Sequence, residues 1–230
     1  MYKVRVFNPA DDTNRRHNPD QRCIWVDGIF DMFHFGHINI LRNALLRAIE
    51  KYQGKDIVLH IGVCGDGQDV KNYKRQPYMN LDERCYAVDL AMKELLKEMQ
   101  ENYPDVKISY QIVPNSPVDL DPELPGKYRL NTMFHGNDFK EADIEKCYGQ
   151  IMKVCDFETL PYTKGISTTA LLKELKETGT LGTCPNTTGL PVEELAARVK
   201  GREAALLKQK EAEEQATASQ EELESSSMRP

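Results

Sequence analysis

The sequence contains no apolar run long enough to span a bilayer. Its first residues are polar, with Asp11, Asp12 and Pro19, unlike the charged-then-apolar pattern of a secretory leader. Positive charge is not in excess. Lys and Arg number 30 against 36 Asp and Glu, a net charge of −6, which gives no general attraction for nucleic acid. The six cysteines are Cys23, Cys64, Cys85, Cys147, Cys155 and Cys184, and no two have the short spacing of a zinc knuckle or a redox pair. They read as ordinary thiols of a reducing compartment, so a cytoplasmic protein is expected. What remains is ordinary globular composition: 40% hydrophobic and 29% charged over 230 residues. That suits one α/β domain with appendages or, less readily, two small domains.

Hydrophobic patterning divides the chain. Residues 1–21 carry one short alternating stretch, Tyr2 to Phe7, and are expected to form a weakly ordered lead-in. Residues 22–178 hold the main domain. Cys23 to Val26 predicts a buried strand ending at Asp27 and Gly28, followed by a helix from about Gly36 to Tyr52 with Ile38, Leu41, Leu45 and Ile49 on one face. Ile57 to Cys64 is a near-continuous apolar strand, as in a parallel sheet covered on both faces. A polar loop from Gly65 to Asn80 leads to a helix over about Leu81–Glu101, capped by Asn80 or Asp82.

A third strand is expected from Val106 to Val113, a proline-marked loop to Pro125, and a fourth strand from Leu130 to His135. A helix over Ala142–Lys153, a strand over Phe157–Leu160 and a helix capped by Ser167 complete the series. Strands alternating with helical connections predict a doubly wound parallel α/β sheet. Ligands of such sheets sit at the carboxyl ends of the strands, where the strand order reverses. Residues 179–230 read as a Thr/Gly linker, a charged helix with Val192, Leu195, Val199 and Leu206 roughly on one face, and a disordered polar tail beyond Gln209.

The segment Asp27-Gly28-Ile29-Phe30-Asp31-Met32-Phe33-His34-Phe35-Gly36-His37 joins the first strand to the first helix. A helix N-terminus at a strand end is an anion site, because free N–H groups and the helix dipole point outward. Gly28 permits a tight turn, and Gly36 permits close approach of backbone or phosphate. Two imidazoles three residues apart share a helical face and can donate hydrogen bonds to a phosphate gaining charge in a transition state. A single helical histidine is usually an ordinary packed residue; His-Xaa-Gly-His at a strand-to-helix turn is much rarer by chance. Metal ligation is the other alternative. No third ligand stands at zincin spacing, and no protein-held metal is expected.

With its neighbours, this stretch resembles the cytidylyltransferases that make CDP-choline, CDP-ethanolamine and CDP-glycerol, and the resemblance runs over about residues 23–172. It implies a Rossmann-like nucleotidyltransferase fold in which His34 and His37 hold the CTP phosphates, with Gly28, Ile29 and Phe30 on the nucleotide side and Asp31 near the substrate. Lys74, in the loop before Met79-Asn80-Leu81-Asp82-Glu83-Arg84, would contact the phosphates of both reactants. Arg84 would steady the nucleotide, although a surface ion pair with Glu83 or Asp82 is an equal reading. Asp66 would lie near the substrate pocket, or be a plain turn residue beside Gly65 and Gly67. His135, Asn137 and Asp138 would bind base or ribose. Gly165, Ile166, Ser167 and Thr168 would cradle the β- and γ-phosphates, with a simple helix cap as the alternative for Ser167.

Three departures stand out: the family's Arg-Tyr-Val-Asp-Glu-Val stretch, associated with subunit contacts, is not recognisable, Lys107 to Val113 taking its place, and two single residues differ. Tyr162 occupies the place of the family's arginine and cannot supply a guanidinium's paired charge; Lys164 stands two residues on. Val118 occupies the place of an aromatic that could face a quaternary ammonium. The implied reaction joins CMP from CTP to phosphoethanolamine or phosphocholine, with Mg²⁺ accompanying the nucleotide. A homodimer is implied by resemblance only, nucleic acid is not expected as a partner, and the charged tail predicts at most weak membrane association. The competing readings are an adenylyltransferase of the same fold and a non-catalytic nucleotide-binding protein.

Overall fold

The computed structural model describes residues 19–181 and 192–227. The expected lead-in lies mostly outside these residues, as does the Thr/Gly linker. Five parallel strands form one sheet: β1 (Gln21–Gly28), β2 (Asp56–Cys64), β3 (Ile108–Ser116), β4 (Leu130–Gly136) and β5 (Asp156–Leu160). Their spatial order is β3-β2-β1-β4-β5, so the direction of winding reverses between β1 and β4. Register pairs Gly28 with Val63 on one side of β1 and Val26 with Phe134 on the other. The crevice required for a ligand therefore opens beyond Gly28 and Gly136.

Alternation along β1 sends Ile24 and Val26 to one face and Trp25 to the other. The first face is covered by α1 (Phe35–Lys51), α3 (Leu81–Asn102) and α6 (Thr168–Thr178), which bury Leu41, Leu45, Val88, Met92 and Leu175 against the sheet. On the second face Trp25 and Met133 pack with Leu124, Tyr128, Tyr148 and Ile151. Those residues come from α4 (Leu124–Tyr128), α5 (Glu141–Tyr148) and a 3-10 turn at Ile151–Lys153. Between Asn80 and Asp82 the structure selects Asn80 as the α3 cap. Its side chain accepts from Glu83 N, while Glu83 accepts from Asn80 N, a reciprocal capping box.

Several expected boundaries shift for identifiable reasons. The polar loop before α3 contains a short helix, α2 (Gln68–Tyr73), anchored by the buried Val70. The expected helix over Ala142–Lys153 closes at Tyr148, where Gly149 disfavours continuation and a 3-10 turn follows. β3 runs past Pro114 to Ser116 because it is an edge strand, where a missing N–H is tolerated. Asn115, at φ 57, lies where its register with β2 shifts.

α7 (Val192–Ser227) docks on α6 by Leu195 and Val199, but Leu206, expected on the same face, is exposed. The helix continues to Ser227, through the polar stretch expected to lack order. No helix among the described residues is long and apolar enough to cross a membrane.

Candidate functional site

At the end of β1 the chain turns sharply into α1. The strain of this turn lies at Phe30 (φ 55) and Met32 (φ 47), not at Gly28, whose φ is not in the left-handed region. A non-glycine residue there costs on the order of 1–2 kcal/mol. Both side chains are almost completely buried, and burying Phe or Met contributes about 1.5–3 kcal/mol, so packing outweighs the strain. The turn is further fixed by Asp31, whose Oδ1 accepts from the backbone N–H groups of Tyr78 and Met79, both at 3.0 Å. The Thr168 hydroxyl donates to the Asp31 carbonyl at 3.1 Å, tying α6 to the same turn.

His34 is the N-cap of α1. Its Nδ1 accepts from Gly36 N at 3.1 Å, and His37 Nδ1 accepts from His34 N at 3.3 Å. The rings stack, with centroids 3.8 Å apart. Gly36 is required by this stack: an added Cβ would lie 3.0 Å from the His34 ring atoms Cε1 and Nδ1. Because each Nδ1 is an acceptor, the neutral rings carry their protons on Nε2. Burial pushes the His34 imidazole down to about 4. Burial also holds His37 well below the ordinary histidine value, with the charges of His34 and Lys74 adding to the effect. Near neutral pH the pair is thus two uncharged rings, each with an Nε2–H donor.

These histidines open on a cavity of about 470 Å³. Gly28, Ile29, Phe30 and Asp31 from the turn line it, with Lys74 from the loop after α2, His135 at the end of β4 and Asp138 just beyond it, and Ser167 and Thr168 at the start of α6. The sheet crevice therefore gathers candidates scattered across the whole domain. Ser167 both lines the cavity and caps α6, its Oγ accepting from Ala170 N at 3.1 Å.

Other expected residues stand behind the wall. Asn137 accepts from Tyr162 N at 2.8 Å and braces that segment. Gly165, at φ 87, makes the turn before α6, and Ile166 packs against the main core. Arg84 is fully buried with every N–H committed. It donates to the carbonyls of Ile29, Cys64, Gly65 and Met79 and to Asp66 Oδ1, over 2.6–3.2 Å. It does not line the cavity, and its ion pair is with Asp66 rather than with Glu83 or Asp82. It is a strut binding the ends of β1 and β2 to α3. Asp66 completes the strut, its Oδ2 accepting from Leu81 N at 3.0 Å, and is neither at the cavity nor a plain turn residue.

Sequence reasoning passed over Asp27, Arg75 and Phe139, which also line the cavity. Burial raises the Asp27 carboxyl above the ordinary aspartate value, while the Tyr148 hydroxyl donates to it at 3.1 Å. Phe139 packs edge-on against His135 at 4.2 Å between centroids. Asp27 stood inside the quoted motif, and its place at a strand end was the available signal. Tyr162 is half-exposed at the cavity rim, its hydroxyl donating to Ile166 O at 3.0 Å. The loop bearing Lys74 is held from outside by α7: Arg202 donates to the carbonyls of Gln76 and Pro77 at 2.6 and 2.8 Å.

Known proteins share this arrangement of sequence. The ethanolamine-phosphate cytidylyltransferase of Saccharomyces cerevisiae is 29% identical over 159 residues, 69% of this chain and 43% of the relative. A probable ethanolamine-phosphate cytidylyltransferase of Schizosaccharomyces pombe is 30% identical over 167 residues, 72% of this chain and 38% of the relative. Choline-phosphate cytidylyltransferase A of Rattus norvegicus is 29% identical over 153 residues, 66% of this chain and 36% of the relative. The chain thus spans about two fifths of the length of these relatives. The family described as cytidylyltransferase-like matches residues 25–174, which include the second half of β1, both histidines, Lys74 and the start of α6. By that match the chain belongs to the cytidylyltransferase-like family.

Proposed function

We propose that the protein transfers CMP from CTP to a small phosphorylated amino alcohol, phosphoethanolamine or phosphocholine, and releases pyrophosphate. The observation that carries the reading is the stacked neutral pair His34 and His37 beside Lys74, at the mouth of the β1–β4 crevice. An oxygen of the phosphate monoester attacks the α-phosphorus of CTP; that bond forms as the bond from the α-phosphorus to the oxygen leading to the β-phosphorus breaks. The attacking oxygen is already anionic near neutral pH, so no general base is needed. Positioning and charge stabilisation then supply the rate. The two Nε2–H groups and the Lys74 ammonium meet the negative charge that builds around the α-phosphorus, and the α6 N-terminus holds the departing phosphates.

Asp27, Asp138 and the Phe139 ring offer an ammonium group both a carboxylate and an aromatic face, which favours an amino alcohol over glycerol 3-phosphate. The described residues include no cluster of three or more His, Cys, Asp or Glu side chains suited to a metal. A magnesium ion carried by the nucleotide would supply charge neutralisation on phosphate oxygens. A homodimer in the cytoplasm belongs to the same proposal, on the family resemblance and the thiol usage. The test is pyrophosphate release with CTP, Mg²⁺ and, separately, phosphoethanolamine, phosphocholine and glycerol 3-phosphate. Turnover with an amino alcohol supports the reading. A folded protein silent with all three favours the second reading, a non-catalytic nucleotide-binding protein, for which the uncharged Tyr162 is the specific observation.

A further inference from the structure

Arg75 directly follows the lysine on which the mechanism depends, yet neither the motifs nor the family resemblance gives it a part. It lines the same cavity as His34, His37, Lys74, Ser167, Thr168 and Thr169. Its guanidinium is held loosely. Nη2 lies 3.5 Å from Asp31 Oδ2, well beyond the ~2.7–2.9 Å of a strong charge-assisted bond. Arg75 Nε is buried with no hydrogen-bond partner, and so is Asp31 Oδ2. Arg84 provides the contrast: all its donors are committed and its side chain is fully buried. The Arg75 side chain is 37% exposed, at the cavity. A guanidinium with unmet donors in a cavity is poised for an acceptor that the protein does not supply.

Its neighbours indicate which acceptor. Asp31 joins Arg75 to the first residue of α6, because the Thr168 hydroxyl donates to the Asp31 carbonyl. The first two N–H groups of α6, at Thr168 and Thr169, have no partner within the helix, since Ser167 takes those of Ala170 and Leu171. A helix start, a lysine and an under-used arginine together suit the most negative part of a nucleoside triphosphate. Tyr162, also at this cavity, stands where the family signature that this sequence resembles has arginine, and its hydroxyl is spent on Ile166 O.

We propose that Arg75 binds the β- and γ-phosphates of the nucleotide and supplies the guanidinium that position 162 lacks. The inference rests on the CTP reading above and adds to it the group that holds the triphosphate tail.

Calorimetric titration with CTP and with CMP tests it, using the wild type, Arg75→Gln, and Arg75→Gln combined with Tyr162→Arg. Arg75→Gln is expected to weaken CTP by about 10- to 100-fold, the worth of one or two charge-assisted bonds, and CMP less than twofold. Retained CMP binding also shows that the variant is folded. Tyr162→Arg is expected to restore most of the lost CTP affinity. Equal weakening of CTP and CMP would show that Arg75 acts only through Asp31 and the turn, and would overturn the proposal. No weakening of either would overturn it too. A selective CTP loss without rescue would overturn the exchange between positions 75 and 162. A wild type that binds no CTP would defeat the function reading itself; wild-type CTP binding with an indifferent Arg75→Gln defeats this inference alone.

Discussion

His34 Nδ1 accepts from Gly36 N while His37 Nδ1 accepts from His34 N, so one capping box fixes the proton of both imidazoles on Nε2. The helix start and the Nε2–H donors proposed to meet the phosphate are therefore one structure. A side chain that both caps a helix and donates to a substrate cannot be probed by deleting it, because two functions fail together.

His34→Asn separates them. Asn is among the best N-caps and its side-chain oxygen replaces the Nδ1 acceptor, whereas Ala would cost about 1 kcal/mol of stability. Asn is expected to leave the urea midpoint near the wild-type value while turnover falls about 100- to 1000-fold, the usual cost of one preorganised donor. Near-normal turnover in His34→Asn, or in His37→Ala, would remove the histidines from the mechanism.

The depressed imidazoles set the expected pH behaviour. With the His34 pKa pushed down to about 4 and His37 also held well below the ordinary histidine value by burial, both rings are uncharged in the free protein near neutral pH. The acid limb of kcat/KM should therefore follow the second ionisation of the phosphate monoester, near pH 6. A phosphonate analogue of different pKa should carry the limb with it; a limb indifferent to that exchange assigns it to the protein. Stability has its own dependence. Between about pH 6.5 and 4 the unfolded chain binds a proton at His34 that the folded chain refuses, and the lowered His37 acts in the same direction. The His34 contribution is complete above about pH 6.5 and is lost as pH falls through about 4. Urea midpoints measured across that window should fall with pH, and less steeply in His34→Asn.

Arg84→Met tests the strut. Removing a guanidinium buried against four carbonyls and the Asp66 carboxylate strands acceptors in a dry site. Breaking a buried pair of this kind costs about 3–5 kcal/mol. The urea midpoint is expected to drop accordingly. A variant of unchanged stability whose CTP affinity alone has fallen would return Arg84 to the nucleotide.

The sheet, its winding and the location of the site were legible because they follow from hydrophobic period and from motifs at strand ends. The His-Xaa-Gly-His turn pointed to the crevice that the structure opens there, although not to His34 as its own helix cap. Arg84 was illegible because most of its partners are backbone carbonyls, which carry no sequence signal, drawn from segments up to 55 residues away. The pairing of Asp27 with Tyr148 spans 121 residues and joins β1 to α5, a contact that only the folded sheet creates. The left-handed Phe30 and Met32 contradict local preference and are held by burial, so a glycine-based reading of the turn looked to the wrong residue.

The grip of α7 on the lysine loop makes the last prediction. Lys74 itself is exposed, whereas Pro77, Tyr78 and Met79 of its loop are buried, Tyr78 and Met79 in the main core, so the reach of the ammonium depends on what else anchors the segment between. Polar anchors hold it from both sides, among them Arg198, which donates to the Tyr78 carbonyl at 3.3 Å. Asp31 holds the Tyr78 and Met79 amides from within, and Arg202 holds the Gln76 and Pro77 carbonyls from outside, its guanidinium also lying 4.1 Å from the Tyr78 ring centroid. A second α7 residue, Arg198, makes a bidentate pair with Glu83 at 2.7 Å and so ties the helix to the α3 capping box. With Arg198 in place, Arg202→Ala should leave α7 docked and free only the loop. Amide exchange at residues 74–78 is then expected to quicken while that of β1 and α1 stays unchanged. The kcat/KM should fall about tenfold, as a positioned lysine becomes one sampled among several conformations. Slow exchange retained in the loop would show that the remaining contacts suffice and that Arg202 has no part in placing Lys74.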